Sequence, residues 1–362
     1  MENENIDFLG KNSSMGAIAN YLQTNGKLDP GTLRPYIKKN DPNTYCSIYI
    51  GGKRTSLDSY KEIKLTTNGT LRKDEWKALD KAVLGIAESR LGGVQDLVDN
   101  GLVYNLGNGM GTTVLQYEDI SDAMEASLSM DGVTRGKGDR PKFSTHYLPI
   151  PIIHVDYEIN SRFLSTSRGA GNSIDTYSAE RAARKVNEKL ESMLFTDTDY
   201  SFGGGDIKSY VNFADRNEVT LTTNWDDSSK AAKDILADIV SMKQSEINAK
   251  HYGPYQIYIP TAYETILDED YDTSGQSTQT IRERILKIGN IKGIKVIDTL
   301  AANNVLMVQM TTDTVRLVRG MGITNVEWQA EGKFINKYKV MTIQVPQIRS
   351  DYNGACGITH LA

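Results

Sequence analysis

The sequence predicts an α+β protein in which packed units of helices and strands carry two long extensions. The apolar stripe of a long helix runs through residues 176–196, and helices alternate with strands between residues 221 and 319. Residues 1–70 and a charged hairpin between residues 112 and 160, by contrast, contain too little apolar surface to fold alone. Such extensions need another surface to become ordered, so we expect the chain to finish folding inside an assembly.

The composition is that of a globular chain with a mild negative charge. Of 362 residues, 39% are hydrophobic and 24% charged, and 41 Lys and Arg against 46 Asp and Glu give a net charge of −5. No apolar run reaches the roughly 18 residues of a membrane helix, and the first residues lack the features of a secretory signal. The acidity argues against tight general nucleic-acid binding, and two distant cysteines predict a reducing, cytoplasmic setting.

Residue types that carry catalysis or hold metals are scarce and unclustered. None of the four histidines is spaced with a second ligand in a metal-binding pattern, and there is no HExxH, CxxC or GxSxG motif. The glycine cluster Gly107–Gly111 lacks the lysine of a P-loop, and Cys356 lies in an apolar run that predicts a buried side chain. The sequence therefore predicts no catalytic residue, no cofactor and no metal, and the chain is expected not to be an enzyme.

Apolar residues at helical intervals predict two helices before residue 200. The first contains Trp76, Leu79, Val83 and Ile86 and is expected to end at Gly92-Gly93. The second, Thr176–Thr196, is expected to bury one stripe of side chains: Ala179, Ala182, Ala183, Val186, Leu190, Met193 and Leu194.

The later part of the chain alternates between helices and strands. A helix is expected from Trp225 to about Ala249, with Ile235, Ile239 and Met242 facing inward. The remaining predictions, in chain order, are a strand at Tyr255–Ile259, a short helix from Pro260 to Leu267, a helix at Thr280–Ile288, strands at Lys292–Asp298, Val305–Met310 and Thr314–Val318, and extended segments at 334–349 and 357–361. An acidic, turn-rich segment at 268–277 is predicted to be an exposed loop, with the side chains of Asp268, Glu269, Asp270 and Asp272.

A second loop, residues 131–142, is predicted between the strands of the hairpin. It is rich in glycine and in charged side chains, among them Arg135, Lys137, Asp139, Arg140 and Lys142. Such a loop either contacts phosphate groups or forms the soluble tip of a long β-hairpin. The hairpin tip is the favoured interpretation, because no aromatic side chains are interleaved with the charges.

These segments follow one another in an informative order. The long helix comes after the charged hairpin, and the segment His251–Ile259 (HYGPYQIYI) lies between an amphipathic helix and a short one. Other matching segments are Leu71–Asn105, Gly107–Asp119, Ile281–Gly289, Ile294–Asp298, Asn304–Met310, Thr314–Val318, Tyr338–Val345 and Ala355–Leu361. In order and spacing they resemble, over residues 70–362, the major capsid proteins of tailed bacteriophages and the encapsulin shells that share their fold.

The resemblance implies a division of the chain into four parts. Residues 1–70 would be an N-terminal arm, and residues 116–172 an extended loop that reaches over a neighbouring subunit through Arg135, Lys137, Asp139, Arg140 and Lys142. The peripheral domain would comprise residues 71–115, 173–220 and 320–349, with the long helix at 176–196 as its spine. The axial domain would comprise residues 221–319 and 350–362, and its acidic loop (Asp268, Glu269, Asp270, Asp272) would point to a five- or six-fold centre. There it would form a negative pore, bind a cation or simply be solvated, and we favour the last.

The function implied by the resemblance is structural. The chain would form the pentamers and hexamers of an icosahedral phage head around double-stranded DNA, which it would contact weakly, and would be part of a virion assembled in the host cytoplasm. A separate scaffolding protein, a portal and decoration proteins are the implied partners. The alternative is an encapsulin compartment that holds a cargo enzyme, although the long arm favours the phage head. Lys137, Lys142 and Asn353 are candidates for a crosslink between subunits, but no partner glutamate is identified, so crosslinking is not expected.

Overall fold

This computed structural model describes residues 34–38, 41–49, 60–65, 71–90, 92–121, 128, 130, 140, 142–169, 176–198, 200–271, 279–331 and 335–362. The helices of these residues are, in chain order, α1 (Lys73–Arg90), α2 (Gly92–Asp99), α3 (Ser161–Gly169), α4 (Tyr177–Phe195), α5 (Ala232–Asn248) and α6 (Ile281–Leu286). The strands are β1 (Tyr36–Lys38), β2 (Asp41–Tyr49), β3 (Tyr60–Leu65), β4 (Val103–Asn105), β5 (Val114–Ile120), β6 (Phe143–Pro149), β7 (Ile153–Asn160), β8 (Ser201–Phe202), β9 (Gly205–Asp206), β10 (Asn217–Val219), β11 (Tyr255–Pro260), β12 (Ile291–Ile297), β13 (Val305–Gln309), β14 (Val315–Glu331), β15 (Ile335–Ile348) and β16 (Ile358–Leu361). None of the helices is long and apolar enough to cross a membrane.

Contacts divide the chain into two compact units. The first unit falls within residues 1–90, 152–188 and 321–343, and the second within residues 91–151, 189–320 and 344–362. The four-part division predicted from the sequence stays a prediction.

In the first unit, part of the predicted arm folds against its own chain. β1, β2 and β3 form an antiparallel three-stranded sheet, with β2 in the middle. Just before β1, the guanidinium of Arg34 donates to both carboxylate oxygens of Asp80 on α1, at 2.9 and 2.6 Å, and lies over the ring of Trp76. The indole of Trp76 in turn donates to the carbonyl of Pro35 at 3.0 Å. A paired charge-assisted bond of this kind orients the segment strongly.

The centre of the first unit is aromatic. β7 pairs antiparallel with β15, from Ile153 opposite Thr342 to Asn160 opposite Ile335. The buried ring of Tyr338 stacks on Tyr157 and meets the edge of Trp76, with ring centroids 5.4 and 5.9 Å apart. Helix α3, which follows β7 directly, was not predicted from the sequence, because its serines, threonine and arginines show no clear apolar period.

The second unit is built on a mixed five-stranded sheet in the order β10, β16, β13, β11, β12. β10 with β16 and β11 with β12 are parallel pairs, whereas β13 runs antiparallel to both of its neighbours. α5 buries Ile235, Ile239 and Met242 as predicted, in one core cluster with sheet residues such as Ile257 and Met307. Every residue of β11 and β13 is buried, which explains why these strands are mostly apolar in the sequence, with one glutamine in each.

The predicted helix from Trp225 is wrong at its start. α5 begins only at Ala232, and residues 225–230 form turns. The carboxylate of Asp227 accepts from the amide and the hydroxyl of Ser229, at 2.8 and 2.7 Å, which is a local turn that competes with helix. The buried indole of Trp225 is stacked on Tyr263 outside the helix.

Gly92-Gly93, which was predicted to end the first helix, also begins the second helix. α2 begins at Gly92, directly after α1 and the intervening residue 91. A Cβ at Gly93 would collide with the ring of Phe195, the last residue of α4. Glycine is therefore required here by close packing between helices. α4 itself is confirmed almost residue for residue, and all seven residues of its predicted stripe are buried.

Candidate functional site

A hairpin is present within the predicted region, but it is shorter than predicted: Val114–Ile120 pairs with Phe143–Pro149, whereas Ile153–Asn160 pairs with β15. β5 and β6 pair antiparallel from Val114 opposite Pro149 to Ile120 opposite Phe143. This last pair, which we call the hairpin-end pair, exposes 60% and 59% of its two residues. A two-stranded ribbon with exposed large apolar residues at its end is typical of a surface that another molecule covers.

Two of the predicted loop residues, Arg140 and Lys142, are among the described residues near this end of the hairpin. Arg140 and Lys142 are exposed. The backbone closes the hairpin beyond the strands, since Ser121 N–H donates to the Lys142 carbonyl at 2.9 Å and Lys142 N–H donates to the Ser121 hydroxyl at 2.8 Å. Arg135, Lys137 and Asp139 lie outside the described residues, so their predicted role stays a prediction.

One face of the hairpin, which carries Tyr117, Asp119 and His146 and which we call the Tyr117 face, contains a charged cluster that was not predicted from the sequence. Asp119 lies within ion-pair distance of His146 at 3.1 Å and of Arg349 at 3.6 Å, while the ring of His146 stacks on Tyr117. Arg349 follows β15, more than 200 residues away in the sequence, so no local pattern could have revealed the contact. The alternation of Tyr117, Asp119 and, opposite them, His146 on one face of the ribbon is the signal that could have grouped the first three.

Two glycines of the second unit let other segments approach closely. A Cβ at Gly205 in β9 would collide with the carbonyl of Tyr147, and one at Gly109 would collide with the backbone of Gly320. Gly107–Gly111 lies in turns rather than at the start of a helix.

Backbone contacts close the base of the acidic loop, and one of its carboxylates forms an ion pair. Ile281 N–H donates to the carbonyl of Glu269 at 3.0 Å, and Asp270 forms a β-bridge with Thr280. Asp268 accepts from Arg282 at 2.8 Å, which offsets one negative charge, whereas Glu269 and Asp270 are exposed. Asp272 lies outside the described residues. The structure thus brings Asp268, Glu269 and Asp270 together, and their position at a symmetry centre stays a prediction.

Glu246, His360 and Cys356 are among the buried ionisable side chains of the second unit. Glu246 on α5 is fully buried, and this burial raises its pKa to about 8, although its carboxyl accepts from the Thr359 hydroxyl at 2.8 Å. Burial, and then the charge of Arg216, lowers the pKa of His360. Cys356 is buried as predicted, and burial raises the pKa of its thiol far above the ordinary value. Within the described ranges, no three His, Cys, Asp or Glu side chains are grouped as metal ligands.

Comparison with solved structures identifies the fold. The chain is similar to a virus-like particle protein from Pyrococcus furiosus (19% identity, TM-score 0.57, covering 79% of this chain and 99% of that one). It is also similar to the capsid of Myoviridae Phage XM1 (10% identity, TM-score 0.57, 74% and 91% covered) and to the capsid of an empty GTA particle (13%, 0.52, 74% and 89%). These likenesses confirm the predicted α+β fold of tailed-phage major capsid proteins and encapsulin-like shells.

The sequence comparison gives the family. A family described as "Family of unknown function (DUF6260)" matches residues 65–361, and the chain belongs to this family. No curated protein matches the chain.

Proposed function

We propose that this chain is a major capsid protein that assembles into the pentamers and hexamers of an icosahedral phage head enclosing double-stranded DNA. The observation that carries the proposal is the coverage of the fold: the likeness takes in 91% of the XM1 capsid chain, so nothing large in that shell subunit lacks a counterpart here. On this proposal the chain is not an enzyme, and its activity is the formation of heterologous contacts around rotation axes.

The hairpin supports this proposal physically. Its hairpin-end pair, Ile120 and Phe143, exposes apolar surface that a second copy of the chain would bury. The charged loop beyond it (Arg135, Lys137, Asp139, Arg140, Lys142) would then form polar contacts at the edge of that interface. Overlaps of this kind bury more than the roughly 1,600 Å² of a standard interface.

The acidic loop would face the centre of a ring of subunits. Asp268, Glu269, Asp270 and Asp272 of several copies would approach one another there, and solvation would limit their repulsion. The partners on this proposal are a scaffolding protein, a portal and decoration proteins, with DNA contacted weakly by a shell of net negative charge. The chain would be part of a virion assembled in the host cytoplasm.

A second candidate, an encapsulin-type compartment around a cargo enzyme, is favoured by one observation. The Pyrococcus virus-like particle protein is covered over 99% of its length and has the higher identity of the structures compared. The contents of purified particles separate the candidates: nuclease-protected DNA supports the phage head, whereas a bound protein without a genome supports the compartment.

Electron microscopy of the purified full-length chain tests the shell itself, and closed particles are expected. Phe143→Glu should reduce particle yield at least about tenfold, since a buried carboxylate at the interface costs several kcal/mol. Ser241→Glu, which places the same charge on an exposed position of α5, is the matched control and should assemble normally.

A second pair of substitutions tests the charged loop. Charge reversal at Arg135 and Arg140 should impair assembly and leave the far-UV circular dichroism of the monomer unchanged; normal particle yield would refute the role of the loop. A chain that stays monomeric under all assembly conditions in sedimentation would overturn both shell candidates.

A further inference from the structure

Two arginines of the second unit, Arg316 and Arg349, lie beside the Tyr117 face of the hairpin. Arg316 on β14 lies over the ring of Tyr104, with its guanidinium carbon 4.3 Å from the ring centroid, and its Nε donates to the Gln347 side chain at 2.6 Å. Arg349 lies over the ring of Tyr117 at 6.0 Å. Stacking holds a guanidinium by its face and leaves its N–H edge directed away from the ring.

The two arginines come from adjacent segments, because the N–H of Arg349 donates to the carbonyl of Thr314, two residues before Arg316, at 2.8 Å. Burial, and after it the charge of Arg349, lowers the pKa of Arg316. Repulsion between partly buried like charges destabilises the folded chain unless an anion offsets it. Arg316 and Arg349 therefore require more neighbouring negative charge to offset their repulsion than two separate surface arginines would.

The described residues supply only part of that charge. Asp119 is the one carboxylate within ion-pair distance of Arg349 there, at 3.6 Å, and it also pairs with His146. Arg316 forms no ion pair with any described carboxylate. The Nε of Arg349 is buried and has no hydrogen-bond partner within the described part of the chain. Two fixed cations, one shared carboxylate and an unused donor leave a net positive site.

We propose that Arg316 and Arg349 form a binding site for a phosphate group beside the Tyr117 face of the hairpin. Phosphate suits the site better than a second carboxylate because it carries between one and two negative charges and offers several acceptor oxygens, so that it can accept from two guanidinium edges at once. The phosphate is either a free ion or part of a nucleic-acid backbone, and the experiment below distinguishes these sources. The site is independent of shell formation.

The test is titration of the unassembled full-length chain with inorganic phosphate, followed by ³¹P NMR and by the thermal midpoint at constant ionic strength. The double substitution Arg316→Gln/Arg349→Gln should weaken phosphate binding at least about tenfold. Arg319→Gln is the matched control, because Arg319 is exposed on the same strand. Should the double variant not fold, Arg316→Lys keeps the charge but loses the planar fork, and weaker phosphate binding is again expected.

Two results would overturn the site: equal phosphate binding by the double variant and the natural chain, or equal stabilisation by acetate and phosphate. A short DNA duplex then identifies the source. Competition by the duplex, lost in the double variant, assigns the phosphate to a nucleic-acid backbone, whereas phosphate binding that the duplex does not affect assigns it to the free ion. Because the chain is unassembled in this experiment, failure of the shell proposal leaves its outcome unchanged.

Discussion

The five-stranded sheet of the second unit and the β5–β6 hairpin distribute their apolar residues in opposite ways. In the sheet, Ile257 and Met307 lie opposite each other on β11 and β13 and are at most 1% exposed. In the hairpin, Ile120 and Phe143 lie opposite each other and are 60% and 59% exposed. The same kind of cross-strand pair therefore stabilises the isolated chain in one region and is available to a second molecule in the other.

The largest expected effect is a difference in the free energy of unfolding between a substitution in the buried pair and one in the exposed pair. Ile257→Ala removes a fully packed side chain and should lower the free energy of unfolding by about 2–5 kcal/mol. Ile120→Ala removes one that is mostly exposed and should change it by less than about 0.5 kcal/mol in the unassembled chain. Urea unfolding with an unchanged m-value is the measurement. Similar losses in both variants would show that the hairpin end is covered within its own chain.

The next effect concerns pH and Glu246, beneath the sheet. Its pKa is about 8 in the folded chain against an ordinary value of 4.5, so the folded state holds a proton that the unfolded state has released. The contribution of Glu246 to stability should be greatest below pH 4.5, fall between pH 4.5 and about 8, and stay low above that. The loss amounts to about 1.4 kcal/mol for each unit of pKa difference.

Glu246→Gln tests this dependence directly. The variant keeps a side-chain oxygen for the Thr359 hydroxyl but cannot ionise, so its stability should not decrease over that pH range. Glu264→Gln, at an exposed position, is the control and should retain the dependence of the natural chain. If the Glu246→Gln variant had the same pH profile as the natural chain, the assignment to this carboxyl would be contradicted.

A smaller dependence of opposite sign is expected at His360, on the interior strand β16. The pKa of His360 is below its ordinary value of 6.5, mainly through burial and then through Arg216, so the unfolded state takes up the proton first. The contribution of His360 to stability should be complete above pH 6.5 and decrease as the pH falls through 6.5 towards the folded-state pKa. His360→Gln should flatten this acid limb in thermal unfolding followed at a series of pH values, and an unchanged limb would assign it to other groups.

The sequence predicted the core of the second unit better than it predicted the contacts of the hairpin. The core helices and strands were predicted because their apolar periods are local: the stripe of α4 and the buried runs β11 and β13 were confirmed. The start of α5 was wrong, because Asp227 and Ser229 form a turn where apolar spacing alone suggested helix. Both cases depend on residues close in the sequence.

The charged cluster on the hairpin depends instead on contacts between segments that are distant in the sequence. Asp119 and Arg349 belong to no motif in the sequence, and only the folding of β15 beside the hairpin brings them together. Likewise, the order of elements predicted the fold although no single motif was specific. The exposure of the hairpin-end pair could not be predicted either, since alternation along a strand gives two faces without saying which one is covered.

The smallest expected effect on global stability is at Asp119, on the Tyr117 face of the hairpin. It gives the most direct test of whether the hairpin and the five-stranded sheet open independently. Asp119→Asn removes the negative charge that His146 and Arg349 share, in a cluster with partly exposed partners, and should cost about 1 kcal/mol or less in global unfolding. Hydrogen exchange should nevertheless become faster at the paired amides of β5 and β6, while exchange in β11 and β13 stays as it is, because local opening of the ribbon does not involve the sheet. Glu118→Gln, one position away on the exposed face, is the control and should leave both regions unchanged. Faster exchange in the sheet as well would mean that the hairpin and the sheet open as one cooperative unit, and the division of roles between them would then be wrong.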